Sequence, residues 1–167
     1  MEYLQTLRAW VQEQGSQDVV YIDESGFAQH SYRPHGWAVR GAKVFGKIAG
    51  NHKKGRTNLI MAQRGKEWLA PMLFEGSCTH EVVTTWIERA LIRELRPNSL
   101  VIMDNAPFHN KADIKAVLKA HGHTLLPLPK YSPDFNPIEQ SFAIIKRIRQ
   151  FTQQPLESIL IGNYKVK

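Results

Sequence analysis

Two apolar runs in this sequence finish at an aspartate, "VVYID" at residues 19–23 and "LVIMD" at residues 100–104. Ligands on open α/β sheets collect at the carboxyl ends of the strands, so two such ends side by side would bring Asp23 and Asp104 together. Carboxylates held close repel, which raises one pKa unless a cation neutralises the pair. A divalent ion resolves that conflict, and hard oxygen ligands without a cysteine cluster favour magnesium or manganese over zinc. Glu139, in "NPIEQSF", is a third candidate.

Each acid also has a purely structural use. Asp23 before Ser25 and Gly26 can open a turn, and Asp104 with Asn105 ahead of Pro107 can make an Asx turn. Glu139 fits the third position of a capping box, with Asn136 as N-cap and Pro137 as first helical residue. The sequence leaves both uses open. Other chemistries fit less well: "GAKVFGK" lacks the spacing of a phosphate loop, and a single cysteine, Cys78, supplies no zinc pair. His121 and His123 follow a helix terminator and read as exposed turn residues, while His30, His35 and His52 fall in expected loops. Trp86 and Phe142 read as core.

The elements that must position these acids follow from periodicity. Leu4, Leu7, Trp10 and Val11 predict a short amphipathic helix over residues 2–14. A strand over Val19–Ile22 ends at Asp23, Glu24 and a Ser-Gly turn. Residues 35–65 read as short antiparallel hairpin strands between glycine turns, and "EWLAPMLFEGS" as one more, with Pro71 marking an edge or a bulge. Val83, Trp86, Ile87, Ala90, Leu91 and Leu95 form one helical face ended by Pro97. "SLVIMD" is a strand, Asn110–Ala120 a helix stopped by Gly122, and "TLLPLP" a short strand. The last helix runs from Pro137 to about Gln150, with Ile138, Phe142, Ile145 and Ile148 inward. Strands followed by alternating helices and strands indicate a mixed sheet covered by helices, the later strands parallel to the first.

Composition sets the frame. A chain of 167 residues with 43% hydrophobic and 22% charged residues is one ordinary globular domain. One cysteine allows no internal disulfide, and no window approaches a membrane span, so a soluble cytoplasmic protein with no membrane partner is expected. The net charge of +7 is unevenly spread. Residues 1–32 hold five acids and one base, whereas residues 33–66 hold nine bases and no acid. Arg33, Arg40, Lys43, Lys47, Lys53, Lys54 and Arg56, interleaved with aromatic residues, are the expected nucleic-acid contacts, since neutralising phosphates releases condensed counterions. The alternative is a solvated hairpin whose lysines guard sheet edges.

Taken jointly, "YIDESGF", "VIMDNAPFH" and "YSPDFNPIEQSF", with 34 residues between Asp104 and Glu139, resemble the DDE transposases of the insertion sequence 630 family, bacterial relatives of mariner elements. The resemblance covers residues 18–150. It implies an α/β, ribonuclease H-like fold, a mixed five-stranded sheet flanked by helices. It implies Asp23, Asp104 and Glu139 as a catalytic triad holding two Mg2+ ions, Mn2+ substituting, with Asn105, His109 and Asn136 in support. Double-stranded DNA is the implied substrate, both transposon end and target, with a homodimer and a separate helix-turn-helix protein as implied partners. Family members begin with helix-turn-helix segments, so residues 1–17 are expected as a linker helix or remnant and residues 151–167 as a weakly patterned tail. A stand-alone ribonuclease H-like nuclease and a non-catalytic DNA-binding remnant are the competing expectations.

Overall fold

The computed structural model describes residues 2–28, 55–105, 110–130 and 132–163. Its framework is a five-stranded sheet in the order β3-β2-β1-β4-β5. The strands are β1 (Val19–Ala28), β2 (Arg56–Arg64), β3 (Glu67–Glu75), β4 (Leu100–Met103) and β5 (Thr124–Pro127). β1, β2 and β3 pair antiparallel, and β4 and β5 continue the sheet parallel to β1. The mixed sheet is the one the element order predicted, because a strand that returns through a helix crosses over and lies parallel.

β1 differs from expectation. It does not stop at Asp23 in a Ser-Gly turn but runs on to Ala28, paired with β2 residue by residue down to Ala28 opposite Arg56. Gly26 makes no turn: it sits within this ladder, with the Arg56 guanidinium lying across it. β4 pairs only with Val19–Ile22, so Asp23 is the first residue of β1 past the parallel ladder.

Alternation on β1 sends Val20 and Ile22 to one face and Tyr21, Asp23 and Phe27 to the other. The first face is covered by α2 (His80–Arg89) and α3 (Lys111–Ala120), whose Val83, Trp86, Ile87, Ile114 and Leu118 pack on Val20, Ile60, Ala62 and Val101. Thr79 caps α2 and Asn110 caps α3 through their side chains, and Gly122 supplies the positive φ of 79° that ends α3. On the opposite face α4 (Ile138–Thr152) and α5 (Leu156–Asn163) cover β1–β3. α1 (Glu2–Gln14) packs Tyr3, Leu4, Leu7, Trp10 and Val11 against Val19, Leu100, Ile102 and Leu128. The stretch expected as a linker is thus part of the core, and so is α5, in the stretch expected as a tail, which buries Leu156, Ile159 and Leu160.

The edge strand β3 carries the irregularity that Pro71 foretold. Ile60 pairs with Met72 and Ala62 with Leu69, leaving Ala70 and Pro71 opposite Met61 alone. Ala70 takes a φ of 46°, its N–H donates to Glu94 Oε1 at 3.1 Å, and its carbonyl accepts from Trp86 Nε1 at 2.7 Å. Among the described residues no helix is long and apolar enough to cross a membrane.

Candidate active site

The site is built where β1 leaves its parallel neighbour. Met103 of β4 pairs with Ile22, so the next residue on each strand, Asp104 and Asp23, stands at the same level of the sheet. Glu139 lies in the first turn of α4, which packs on the face of β1 that carries Asp23, close enough for its carboxyl to raise that of Asp23. The chain therefore returns three times to one patch, by two strand ends and one helix start.

Asp23 is held firmly. Its Oδ1 accepts from the Glu24 backbone N–H at 2.7 Å and its Oδ2 accepts from Asn136 Nδ2 at 2.9 Å. Burial pushes the Asp23 carboxyl up from 3.8 to about 8, the Glu24 N–H opposes that rise, and the charges of Glu139 and Asp104 add to it. A half-buried acid with two others close by and, among the described residues, no basic side chain hydrogen-bonded to it carries a charge at high cost and holds its proton to higher pH when no cation is present.

The use of Asn136 differs from the capping reading. α4 starts after Pro137 without a side-chain cap, and the Asn136 side chain turns instead to Asp23. Glu139 donates its backbone N–H to the Asn136 carbonyl at 3.2 Å but closes no capping box. Asn136 is buried, and its Oδ1 has no protein partner among the described residues. An amide that spends its donor on the carboxylate and leaves its acceptor open is poised for a polar ligand rather than for a helix end.

Sequence patterning missed Glu24. Alternation puts it on the opposite face from Asp23, where its Oε2 is buried without a partner among the described residues and its carboxyl neighbours the Cys78 thiol, which burial, then Glu24, pushes up. Only the extended length of β1, hidden by the Ser-Gly pair, would have revealed that side. His123 is also corrected: it is buried, not an exposed turn residue, and its Nδ1 accepts from the Ser99 backbone N–H at 3.3 Å. Burial, then His121, holds its imidazole below the ordinary histidine range. His121 is exposed as expected, its Nδ1 2.9 Å from the Val117 carbonyl.

Asn105 follows Asp104 directly, while His109 lies outside the described residues, as do Arg33, Arg40, Lys43, Lys47, Lys53 and Lys54. Arg56 is described and exposed, its guanidinium lying across Gly26. Lys146 of α4 stands 5.6 Å over the Phe27 ring. Both cations border the part of β1 that extends beyond Asp23.

The donor set at the patch is all oxygen, which fits a hard divalent cation. Among the described residues no group of three or more His, Cys, Asp or Glu side chains is gathered closely enough to hold an ion as it stands. The three acids approach one another where the parallel ladder of β1 and β4 ends without being closed into a cage, the arrangement expected of acids that repel one another.

Several solved structures share the fold. A Mos1 transposase paired-end complex with the left transposon end has a TM-score of 0.69 at 16% identity, covering 89% of this chain and 47% of that one. The Mos1 mariner paired-end complex with Mn has a TM-score of 0.67 at 19% identity, covering 87% and 47%. The catalytic domain of Mos1 mariner transposase has a TM-score of 0.63 at 17% identity, covering 95% and 74%. The chain thus spans about half the length of the Mos1 chains in those complexes. These likenesses establish the ribonuclease H-like fold, a mixed five-stranded sheet flanked by helices. No curated protein sequence matches the chain. The family model for DDE superfamily endonucleases matches residues 18–158, from the start of β1 into α5. By that match the chain belongs to the DDE superfamily endonuclease family.

Proposed function

We propose that this chain is the catalytic domain of a DDE transposase of the insertion sequence 630 family. It hydrolyses the phosphodiester bond at transposon ends and then joins the 3′-hydroxyl to target DNA, using two Mg2+ ions per site with Mn2+ as substitute. The observation that carries this reading is the half-buried Asp23, its carboxyl raised by burial and by the charges of Glu139 and Asp104, the latter at its level of the sheet. Asp23, on the central strand, would hold both ions, with Asp104 completing one side and Glu139 the other. When bound, such ions lower the pKa of an attacking water, align a 3′-hydroxyl and neutralise the departing oxygen.

The chain's own residues supply position and charge. The Glu24 N–H and the Asn136 amide fix the plane of the Asp23 carboxylate from two sides, so its oxygens need not reorganise as charge moves. Glu139, exposed on the first turn of α4, brings the third carboxylate from the solvent side, where a DNA strand would arrive. Asn105 and His109, close to Asp104 in the sequence, are the supporting residues of this reading. The basic residues from Arg33 to Arg56 take the DNA backbone, each neutralised phosphate releasing counterions. Among the similar Mos1 structures are a paired-end complex with the left transposon end and paired-end complexes with Mn and with Mg, in keeping with this substrate and these ions. A homodimer and a helix-turn-helix protein are the partners that would complete recognition of the ends.

Manganese soaked into crystals and located by its anomalous signal should sit among Asp23, Asp104 and Glu139. Asp23→Asn, Asp104→Asn and Glu139→Gln should each reduce metal-dependent nicking by roughly 10³-fold or more. A variant that nicks like the wild type removes its residue from the site. Strand joining, as opposed to nicking alone, separates a transposase from a stand-alone nuclease, and binding with no cutting marks a non-catalytic remnant.

A further inference from the structure

α4 delivers Glu139, yet most of what holds it to the sheet is apolar. Ile138, Phe142 and Ile145 pack on Phe27, Leu59 and Met61, contacts that favour burial but resist small rotations and slides weakly. One buried residue on that face is polar. Ser141 Oγ accepts from Trp68 Nε1 at 3.2 Å and donates to Gln63 Oε1 at 2.6 Å. The Gln63 amide is itself oriented, since its Nε2 donates to the Gly65 carbonyl at 2.9 Å in the β2–β3 turn. Ser141 and Gln63 are both buried, so the bonds are sheltered from water and breaking them leaves desolvated groups unpaired. A helical serine commonly bonds the carbonyl one turn back; here the bonds made by the hydroxyl run across to two different strands.

We infer that the Trp68–Ser141–Gln63 chain is a latch that sets the rotation of α4 and thereby positions Glu139 against Asp23. Ser141 lies two residues, about 200° of helical turn, beyond Glu139, so it touches the sheet while Glu139 reaches the site. A carboxylate sits roughly 6 Å from the helix axis, so about 10° of rotation moves it by ~1 Å. Displacement on that scale is enough to cost about 10²-fold in rate. Ser141, Gln63 and Trp68 are positioning residues, none of which touches the reacting atoms.

The inference rests on the proposed role of Glu139, and its test separates the two. Ser141→Ala and the near-isosteric Gln63→Met should each lower kcat for Mn2+-dependent nicking by roughly 10- to 100-fold with KM for DNA unchanged, and weaken Mn2+ binding several-fold by calorimetry. The double variant should be no worse than either single, because one chain of bonds is broken once. Ile145→Val, which trims the same apolar face, serves as the control for lost stability alone and should keep wild-type kcat. In parallel, the Glu139 and Asn136 amide resonances of the metal-free protein should shift in Ser141→Ala and stay in place in Ile145→Val. Unmoved resonances, or additive losses matching the fall in Tm, overturn the latch. If wild type neither nicks nor binds Mn2+, the functional reading fails, and the resonances still decide whether Ser141 positions Glu139.

Discussion

Between about pH 4 and pH 8, Asp23 makes the metal-free fold less stable as protons are withdrawn. Its carboxyl titrates near 3.8 when the chain is unfolded and near 8 in the fold, so over that window the native state binds more protons than the unfolded one. Stability that is fully present below the lower value is lost as the pH climbs to the upper one. Asp23→Asn removes the titration. It should raise the Tm of the metal-free protein by about a few degrees at pH 8 and leave it unchanged near pH 4, measured by calorimetry with EDTA present. Added Mg2+ or Mn2+ should raise the wild-type Tm at pH 8 but not that of the variant. At this scale the acids were visible in the sequence because each closes an apolar run or opens a helix. Glu24 was not, since a residue next to a strand end has no assigned face until the strand is known to continue. Asn136 was visible as a cap and is employed otherwise, a choice that depends on Asp23, 113 residues away in the chain.

At the scale of elements, the helices were readable where one face is apolar and a cap begins it. α2 starts at Thr79 and buries Val83, Trp86 and Ile87 as their spacing predicts, although it ends at Arg89, short of Pro97, and Leu91 falls in a separate 3-10 turn; α3 starts at Asn110 and buries Ile114 and Leu118. α5 was not readable, because "LESILIGN" is apolar on more than one side and Ile161 stays exposed while Ile159 and Leu160 are buried. Its helix follows from the pocket that α4, β2 and β3 leave for it, which no local pattern encodes. Ile159→Ala should therefore cost about 2–4 kcal/mol in urea unfolding, the price of a core cavity and not of a surface tail. A loss under about 0.5 kcal/mol would return α5 to the periphery. β1 shows the same limit from the other direction: Ser25 and Gly26 carry turn propensity, and nine consecutive pairings with β2 override it.

At the scale of the molecule, the mixed sheet and its parallel half were legible because the order of strands and helices permits few other closures. The charge distribution is read directly from the sequence, and the proposal that it meets DNA is tested by salt. Neutralising Lys53, Lys54 and Arg56 together should weaken binding to every DNA sequence and lower the slope of log K against log salt by about 2–3, read by fluorescence anisotropy over a salt series. An unchanged slope would return these side chains to solvated surface. The topology leaves β3 at the rim of the sheet, where an extended segment of another molecule could in principle add itself. Such a visitor would find Pro71 with no N–H to offer, a local kink, and an amide and carbonyl at Ala70 already engaged by Glu94 and Trp86. The irregular rim makes β3 a poor template for intermolecular stacking, and so helps the protein stay dispersed at high local concentration.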